Sequence, residues 1–257
     1  MKLAFCLAIL TALTGAAHST GIPQAERRSG YSFMTPDTRA MQDEDTANPG
    51  MLWVLDGEAL WKRKAGTADK ACADCHNDAR VSMKGVAAHY PAFEQALGRP
   101  VDLEQRINLC RTNHQRAAPL AYESRELLAL TAYVAEQSRG MPIETDKDPE
   151  LSPFIDKGQR LFTQRQGQLN LGCANCHDDN WDKKLAGSPI TQGQPTGYPL
   201  YRLEWQSLGS LQRRLRACIT GIRAQAYDYG SPELVELELY LMTRAHGLKI
   251  ETPAVRP

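Results

Sequence analysis

The sequence lacks an excess of charge of either sign, and it lacks an apolar run long enough to cross a membrane. Thirty basic residues balance thirty acidic ones over 257 positions, so no overall field attracts nucleic acid or an anionic membrane surface. The longest apolar run, from Leu3 to Leu13, has about eleven residues, whereas a membrane-spanning helix needs about twenty. We therefore expect no nucleic-acid partner and no membrane span.

The first residues have the pattern of a secretory signal. Lys2 precedes the apolar run, and the small residues 14–17 follow it, which is the order found in cleavable signal peptides. We expect residues 1–17 to be a signal peptide and residues 18–50, which are polar and contain prolines, to be an N-terminal leader. The remaining length suffices for two folded domains.

Six cysteines follow the predicted signal peptide, and their spacing argues against a simple set of disulfides. Exported proteins tend to pair their thiols. Four of the six, however, lie in two copies of Cys-x-x-Cys-His, at 72–76 and 173–177. In this pattern the cysteines attach a haem covalently and the histidine ligates its iron. A disulfide oxidoreductase motif needs no following histidine, and no matched second pair supports zinc. The residues predicted to hold two haems c are Cys72, Cys75 and His76, and Cys173, Cys176 and His177.

The sequence around the first haem motif recurs about one hundred residues later, around the second motif. The two motifs are 101 positions apart, and later features, such as Tyr90-Pro91 and Tyr198-Pro199, are 108 apart. Apolar residues recur at helical spacing, and no convincing strand alternation accompanies them. The sequence therefore predicts an all-α fold with two tandem cytochrome c-like haem domains related by internal duplication. We expect the first domain to span residues 51–148 and the second, with the active haem, to span residues 149–257.

The second axial ligand decides whether each haem only carries electrons. Methionines and histidines after the motifs, such as Met83 and His114, have no counterpart in the other copy, whereas Cys110 matches Cys218. The alternative is a disulfide between these two cysteines. A thiolate ligand favours ferric iron and also holds a deprotonated sulfur in place for exchange chemistry.

Arginines are concentrated around the second of these cysteines, at positions 213, 214, 216 and 223. Arg214 lies one helical turn before Cys218, so its planar guanidinium can hold a dianionic oxo-sulfur compound beside the thiolate. A solvated arginine face, or contacts to haem propionates, would explain the same residues. Arg106 lies at the equivalent place before Cys110, which supports a role in haem binding for part of this arginine pattern.

Twin Cys-x-x-Cys-His motifs, each followed by a lone cysteine, resemble the dihaem SoxA subunits of the SoxAX cytochromes of bacterial thiosulfate oxidation. The resemblance implies His76 and Cys110 as axial ligands of the first haem, and His177 and Cys218 as those of the second. It also implies that Cys218 is the catalytic cysteine, able to carry an extra sulfur, and that Arg214 binds substrate.

The activity implied by this resemblance is that of a periplasmic L-cysteine S-thiosulfotransferase. Such an enzyme joins thiosulfate oxidatively to a cysteine of the SoxYZ carrier, and the electrons pass to the partner subunit SoxX and to cytochrome c. Two other functions remain open. A dihaem thiosulfate dehydrogenase would form tetrathionate without a carrier protein, and a simple dihaem electron-transfer cytochrome or peroxidase would use Met or His ligands.

Overall fold

The computed structural model describes residues 21–144 and 148–257, so the predicted signal peptide lies outside the described residues. We refer to residues 51–144 as the first half and to residues 148–257 as the second half. Within the described ranges, no helix has the length and apolar character needed to cross a membrane. The α-helices are α1 (Pro36–Asp43), α2 (Met51–Lys62), α3 (Ala73–His76), α4 (Ala79–Ser82), α5 (Leu103–Cys110), α6 (Arg125–Glu136), α7 (Ser152–Thr163), α8 (Cys173–His177), α9 (Leu211–Gly221) and α10 (Pro232–Arg244).

Each half is built on one long helix pair that crosses at a glycine. In the first half α2 packs on α6, and a Cβ at Gly57 would lie 2.1 Å from the Ala129 carbonyl oxygen. In the second half α7 packs on α10, and a Cβ at Gly158 would lie 2.1 Å from the Glu236 carbonyl oxygen. Only glycine permits backbones to approach so closely. The two halves therefore share the same central contact.

Short strands accompany the helices, and in this respect the structure differs from the all-α prediction. The strands are β1 (Ala92–Glu94), β2 (Arg99–Val101), β3 (Lys184–Leu185), β4 (Ser188–Pro189), β5 (Leu200–Arg202), β6 (Ser207–Gly209) and β7 (Val255–Arg256). They form antiparallel hairpins β1–β2, β3–β4 and β5–β6, and β7 pairs in parallel with β5. Strands of two or three residues are too short to show an alternating pattern, which is why the sequence did not reveal them.

The leader contributes ordered structure that packs on the end of the chain. Helix α1 begins after Thr35, whose side chain caps it, and contacts β7. The Asn48 side chain donates to the Pro253 carbonyl at 2.8 Å, and the Gln42 side chain accepts from the Val255 amide at 3.1 Å. The leader thereby covers the edge of the sheet that β7 would otherwise expose.

The two halves meet through reciprocal backbone hydrogen bonds just after α6 and α10. Gly140 donates to Ile250 at 2.8 Å and Gly247 donates to Ile143 at 2.9 Å. Gly140 and Gly247 occupy equivalent positions in the two copies of the repeat, and so do Ile143 and Ile250. The junction is therefore self-complementary, as in an isologous contact.

A buried carboxylate links the two helices that carry Cys110 and Cys218. Asp102 caps α5 by accepting from the Gln105 amide at 2.6 Å, and it also accepts from the Gln212 side chain of α9 at 2.7 Å and from the Tyr122 hydroxyl at 3.0 Å. Burial raises the pKa of Asp102 to about 6. The bond to Gln212 fixes the relative position of α5 and α9.

Candidate haem-binding sites

The first site is a cavity of about 240 Å³ with a mainly apolar lining. The short helix α3 supplies Cys75 and His76, Cys72 lies directly before it, and α5 supplies Cys110. All four residues predicted for the first haem therefore line one space. Met83 and His114 also line this cavity, although neither has a counterpart in the second half.

The second site brings together the matching four residues. His177 lies close enough to Cys218 to lower the pKa of its thiol, and Cys218 is also near Cys173 and Cys176. Cys218 lies on α9, while the other three lie on α8. The structure therefore gathers the Cys218 sulfur, the His177 imidazole and the two motif cysteines into one place.

No disulfide joins Cys110 to Cys218, because the six cysteines of the described ranges all have free thiols. Each sulfur instead faces the motif of its own half. Nor do three or more His, Cys, Asp or Glu side chains of the described residues gather into a metal-binding cage. A haem iron needs only two protein ligands, and each half offers one imidazole facing one sulfur.

The two histidines are held differently. The His177 Nδ1 lies 2.7 Å from the Thr191 carbonyl oxygen, which leaves Nε2 directed away for a metal. Gly193 passes so close that a Cβ there would lie 3.0 Å from the imidazole Cγ. His76 packs instead on Trp61, with ring centroids 5.7 Å apart. Sequence reasoning missed Thr191 and Gly193, although they lie in the Gly- and Pro-containing stretch where the second copy is longer.

The two lone cysteines have opposite electrostatic environments. Burial raises the pKa of Cys110, and the nearby charge of Arg106 only partly offsets this. Burial also acts to raise the pKa of Cys218, but the nearby His177 ring and the charge of Arg214 outweigh it, so the pKa lies below its usual value. Cys218 is therefore the sulfur with the greater thiolate character.

Of the arginines around Cys218, only Arg214 is both close to the sulfur and without a carboxylate partner among the described residues. Arg213 packs on the Trp205 ring at 4.2 Å and lies 3.8 Å from Glu123. The other two point elsewhere: Arg216 covers the ring of Tyr229 at 4.4 Å, and Arg223 is exposed beyond α9.

The described residues fit a haem in each half. A porphyrin is a large apolar ring that carries two carboxylates, and the first cavity joins an apolar lining to Arg111, whose Nε is buried without a hydrogen-bond partner. In the second half, the Nε of Arg244 is buried in the same way, while its terminal nitrogen bonds Asp178 at 2.7 Å. Buried cationic donors of this kind need an acceptor such as a propionate.

The fold and the site define a c-type cytochrome, because each half carries a Cys-x-x-Cys-His turn with a lone cysteine from a later helix lying near it. The profile of the SoxA/TsdA cytochrome c domain matches residues 56–143 and 157–250. The chain therefore belongs to the SoxA family of cytochromes, and its cytochrome c domains imply haem c.

Two relatives and one solved structure carry this assignment. The chain is 41% identical to L-cysteine S-thiosulfotransferase subunit SoxA of Pseudaminobacter salicylatoxidans, over 95% of this chain and 86% of the relative. It is 40% identical to the subunit of the same name from Rhodovulum sulfidophilum, over 90% and 80%. The crystal structure of SoxXA from P. pantotrophus superimposes with a TM-score of 0.87 at 31% identity, covering 90% of this chain and 87% of that one.

Proposed function

We propose that this chain is the SoxA subunit of an L-cysteine S-thiosulfotransferase that pairs with SoxX in the periplasm. The observation that carries the proposal is that Cys218 on α9 lies near His177 of the second motif, with Arg214 one helical turn before it. This arrangement places the Cys218 thiol, whose pKa is lowered, near the guanidinium of Arg214, which has no carboxylate partner among the described residues. The names of the relatives at 40% and 41% identity support the same activity.

We further propose that the chain consists of two haem domains, residues 51–148 and residues 149–257, that arose by duplication. The two stretches that match the family profile fall one in each domain. The shared helix crossing at Gly57 and Gly158 and the reciprocal junction support the duplication. Each domain would hold one haem c.

In this proposal, Cys72 and Cys75 would attach the first haem, and His76 and Cys110 would bind its iron. In the second half the attachment cysteines and ligands are Cys173, Cys176, His177 and Cys218. When bound, the second haem supplies a one-electron acceptor next to the Cys218 sulfur. Thr191 fixes the orientation of His177 through its carbonyl.

The chain's own residues account for the sulfur chemistry. Arg214 binds and orients thiosulfate, a dianion, with its terminal sulfur toward Cys218. A sulfur–sulfur bond then forms between the Cys218 thiolate and that terminal sulfur, and two electrons leave one at a time toward SoxX and cytochrome c. The thiolate of the SoxYZ carrier attacks the transferred sulfur, which releases the Cys218 thiolate and leaves the carrier as an S-thiosulfonate. Over both steps, one carrier thiol and one thiosulfate yield one conjugate, one proton and two electrons.

The relatives favour this function over the two alternatives. A thiosulfate dehydrogenase would release tetrathionate and would not need SoxYZ, and an electron-transfer cytochrome would not need the arginine beside the sulfur. The names of the 41% and 40% identical relatives specify transfer to a cysteine. Dependence of the activity on SoxYZ distinguishes the thiosulfotransferase from the other two functions.

The test uses the chain produced with its haems together with SoxX. We expect Cys218→Ala to lower thiosulfate-dependent reduction of cytochrome c in the presence of SoxYZ by about 10³-fold or more, because the sulfur that forms the covalent bond is lost. Cys110→Ala, the matched control in the first half, keeps most of the rate. Retained turnover in the Cys218 variant, with both haems still attached, contradicts the assignment. Low-temperature EPR with thiolate-type low-spin signals from both haems supports the proposed ligands.

A further inference from the structure

The hairpins that precede the two cysteine-bearing helices have the same register, but they differ in charge at both positions of the pair nearest the turn. In β1–β2, Glu94 lies opposite Arg99, and in β5–β6, Arg202 lies opposite Ser207. Both hairpins lead directly into their helices, α5 and α9, which begin after capping residues. Arg202 therefore occupies the backbone position that Glu94 occupies in the first half.

In the first half, this position neutralises the arginine next to the lone cysteine. Glu94 forms an ion pair with Arg106, which lies one helical turn before Cys110. The Nε of Arg106 also donates to the Tyr90 hydroxyl at 3.1 Å. Glu94 is only 16% exposed, so the pair is shielded from solvent. The cation beside Cys110 is therefore already paired.

In the second half, the same three positions hold Tyr198, Arg214 and Arg202. The carboxylate has been replaced by a second cation, and no carboxylate of the described residues pairs with Arg214. Burial raises the pKa of Tyr198 to about 12, and the charges of Arg214 and Arg202 both oppose this rise. The hairpin register therefore places Arg202 beside Arg214, as it places Glu94 beside Arg106, and the Cys218 and Tyr198 side chains near them are half-buried.

The contacts that Arg202 makes leave most of its charge uncompensated. Its Nε bonds Glu204 at 2.8 Å, but the Glu204 side chain is 65% exposed, and such pairs are weak. The guanidinium packs against the Trp205 ring at 5.4 Å, which fixes its direction without neutralising it. The bond through Nε also leaves the terminal amino groups for another acceptor.

We propose that Arg202 is a second substrate-binding residue, which together with Arg214 holds a dianionic oxo-sulfur compound beside Cys218. Two guanidinium groups without a carboxylate between them match the two charges and several oxygens of such a substrate. The first half lacks this capacity because Glu94 occupies the equivalent position and engages Arg106. The inference rests on the proposed function and names a residue that the cysteine and arginine motifs did not single out.

The test uses the haem-loaded chain with SoxX, and compares Arg202→Gln, Arg202→Lys and Arg202→Glu with Arg213→Gln. Arg213 is the matched control because it packs on the same tryptophan but is paired with Glu123. With SoxYZ as acceptor, we expect Arg202→Gln to raise the KM for thiosulfate about tenfold or more and to change kcat much less, since one charge-assisted contact is lost. Arg202→Glu raises KM further, Arg202→Lys restores part of the loss, and Arg213→Gln stays within about twofold of the unmodified chain.

A second measurement reports binding without turnover. Thiosulfate binding to the folded protein raises its unfolding midpoint, by an amount that grows with the logarithm of the thiosulfate concentration divided by Kd. We expect this rise, at one thiosulfate concentration, to shrink in Arg202→Gln and not in Arg213→Gln. Haem content and the midpoint without thiosulfate show whether each variant is folded. If the unmodified complex turns over thiosulfate but Arg202→Gln and Arg202→Lys keep its KM, or if Arg213→Gln raises KM equally, the role of Arg202 is wrong while the proposed function stands. If the unmodified complex with SoxYZ does not turn over thiosulfate, the proposed function itself is wrong.

Discussion

Replacement of Glu104 by Gln should change how the stability of the protein depends on pH. Glu104 is 8% exposed and lines a small cavity between the halves together with Glu238. Burial, reinforced by the charge of Asp102, raises the pKa of Glu104 to about 8, and burial also raises that of Glu238. In the unfolded chain a glutamate has a pKa near 4.3. The folded protein therefore binds a proton that the unfolded chain has released.

The direction and the size of the pH effect on stability follow from this difference in pKa between the folded and unfolded chain. A raised folded pKa means that the stabilisation is complete below the unfolded value and is lost as the pH rises through the folded value. While the folded state holds one extra proton, the free energy of unfolding falls by about 1.4 kcal/mol per pH unit. Between pH 5 and pH 8 the loss from this one group is at most about 4 kcal/mol. Glutamine stays neutral, so the variant gains stability relative to the unmodified chain as the pH rises.

The assay is denaturant unfolding of the haem-loaded protein across this pH range, and the quantity of interest is the difference between variant and unmodified chain. We expect that difference to grow in favour of Glu104→Gln from pH 5 to pH 8. Glu126→Gln is the matched control, because Glu126 is exposed in the first turn of α6. A difference that is flat with pH, or that grows equally for the control, refutes the reasoning.

Two further predictions concern glycines. Gly193→Ala places a methyl group 3.0 Å from the His177 ring at a φ of +69°, so we expect the EPR signal of the second haem to shift while that of the first does not; unchanged spectra contradict this role. Gly158→Ala places a methyl group 2.1 Å from the Glu236 carbonyl and should cost about 2–3 kcal/mol in thermal unfolding. Gly221→Ala, which meets open space, is its control, and equal losses would refute the crossing argument.

The repeated cysteines allowed candidate haem sites to be predicted from sequence. Their equivalent positions in the repeat singled out Cys110 and Cys218, and in the structure each one lies near the motif of its own half. The helices were predictable because α6 and α10 have serine caps, apolar spacing and closing glycines at Gly140 and Gly247.

Other features depend on contacts that no local pattern reveals. The carbonyl of Thr191 has no sequence signature, since every residue has one. The charge reversal from Glu94 to Arg202 gains meaning only from the short hairpins: Glu94 pairs with Arg106 of the following helix, and Arg202 has the equivalent place in the second hairpin. The buried cluster around Asp102 forms only when α9 supplies Gln212 from the other half. Such long-range polar contacts follow from tertiary packing, not from periodicity.

The reciprocal bonds between the segments after α6 and α10 have a consequence for how the halves can change. A patch that pairs with its own counterpart would, on a separate half, pair equally well with a second identical molecule, as in two-fold homodimers. In such a homodimer, every substitution changes both subunits, because they have the same sequence. In one continuous polypeptide the sides vary independently, so one pocket can acquire a cationic pair while its twin keeps a neutral one.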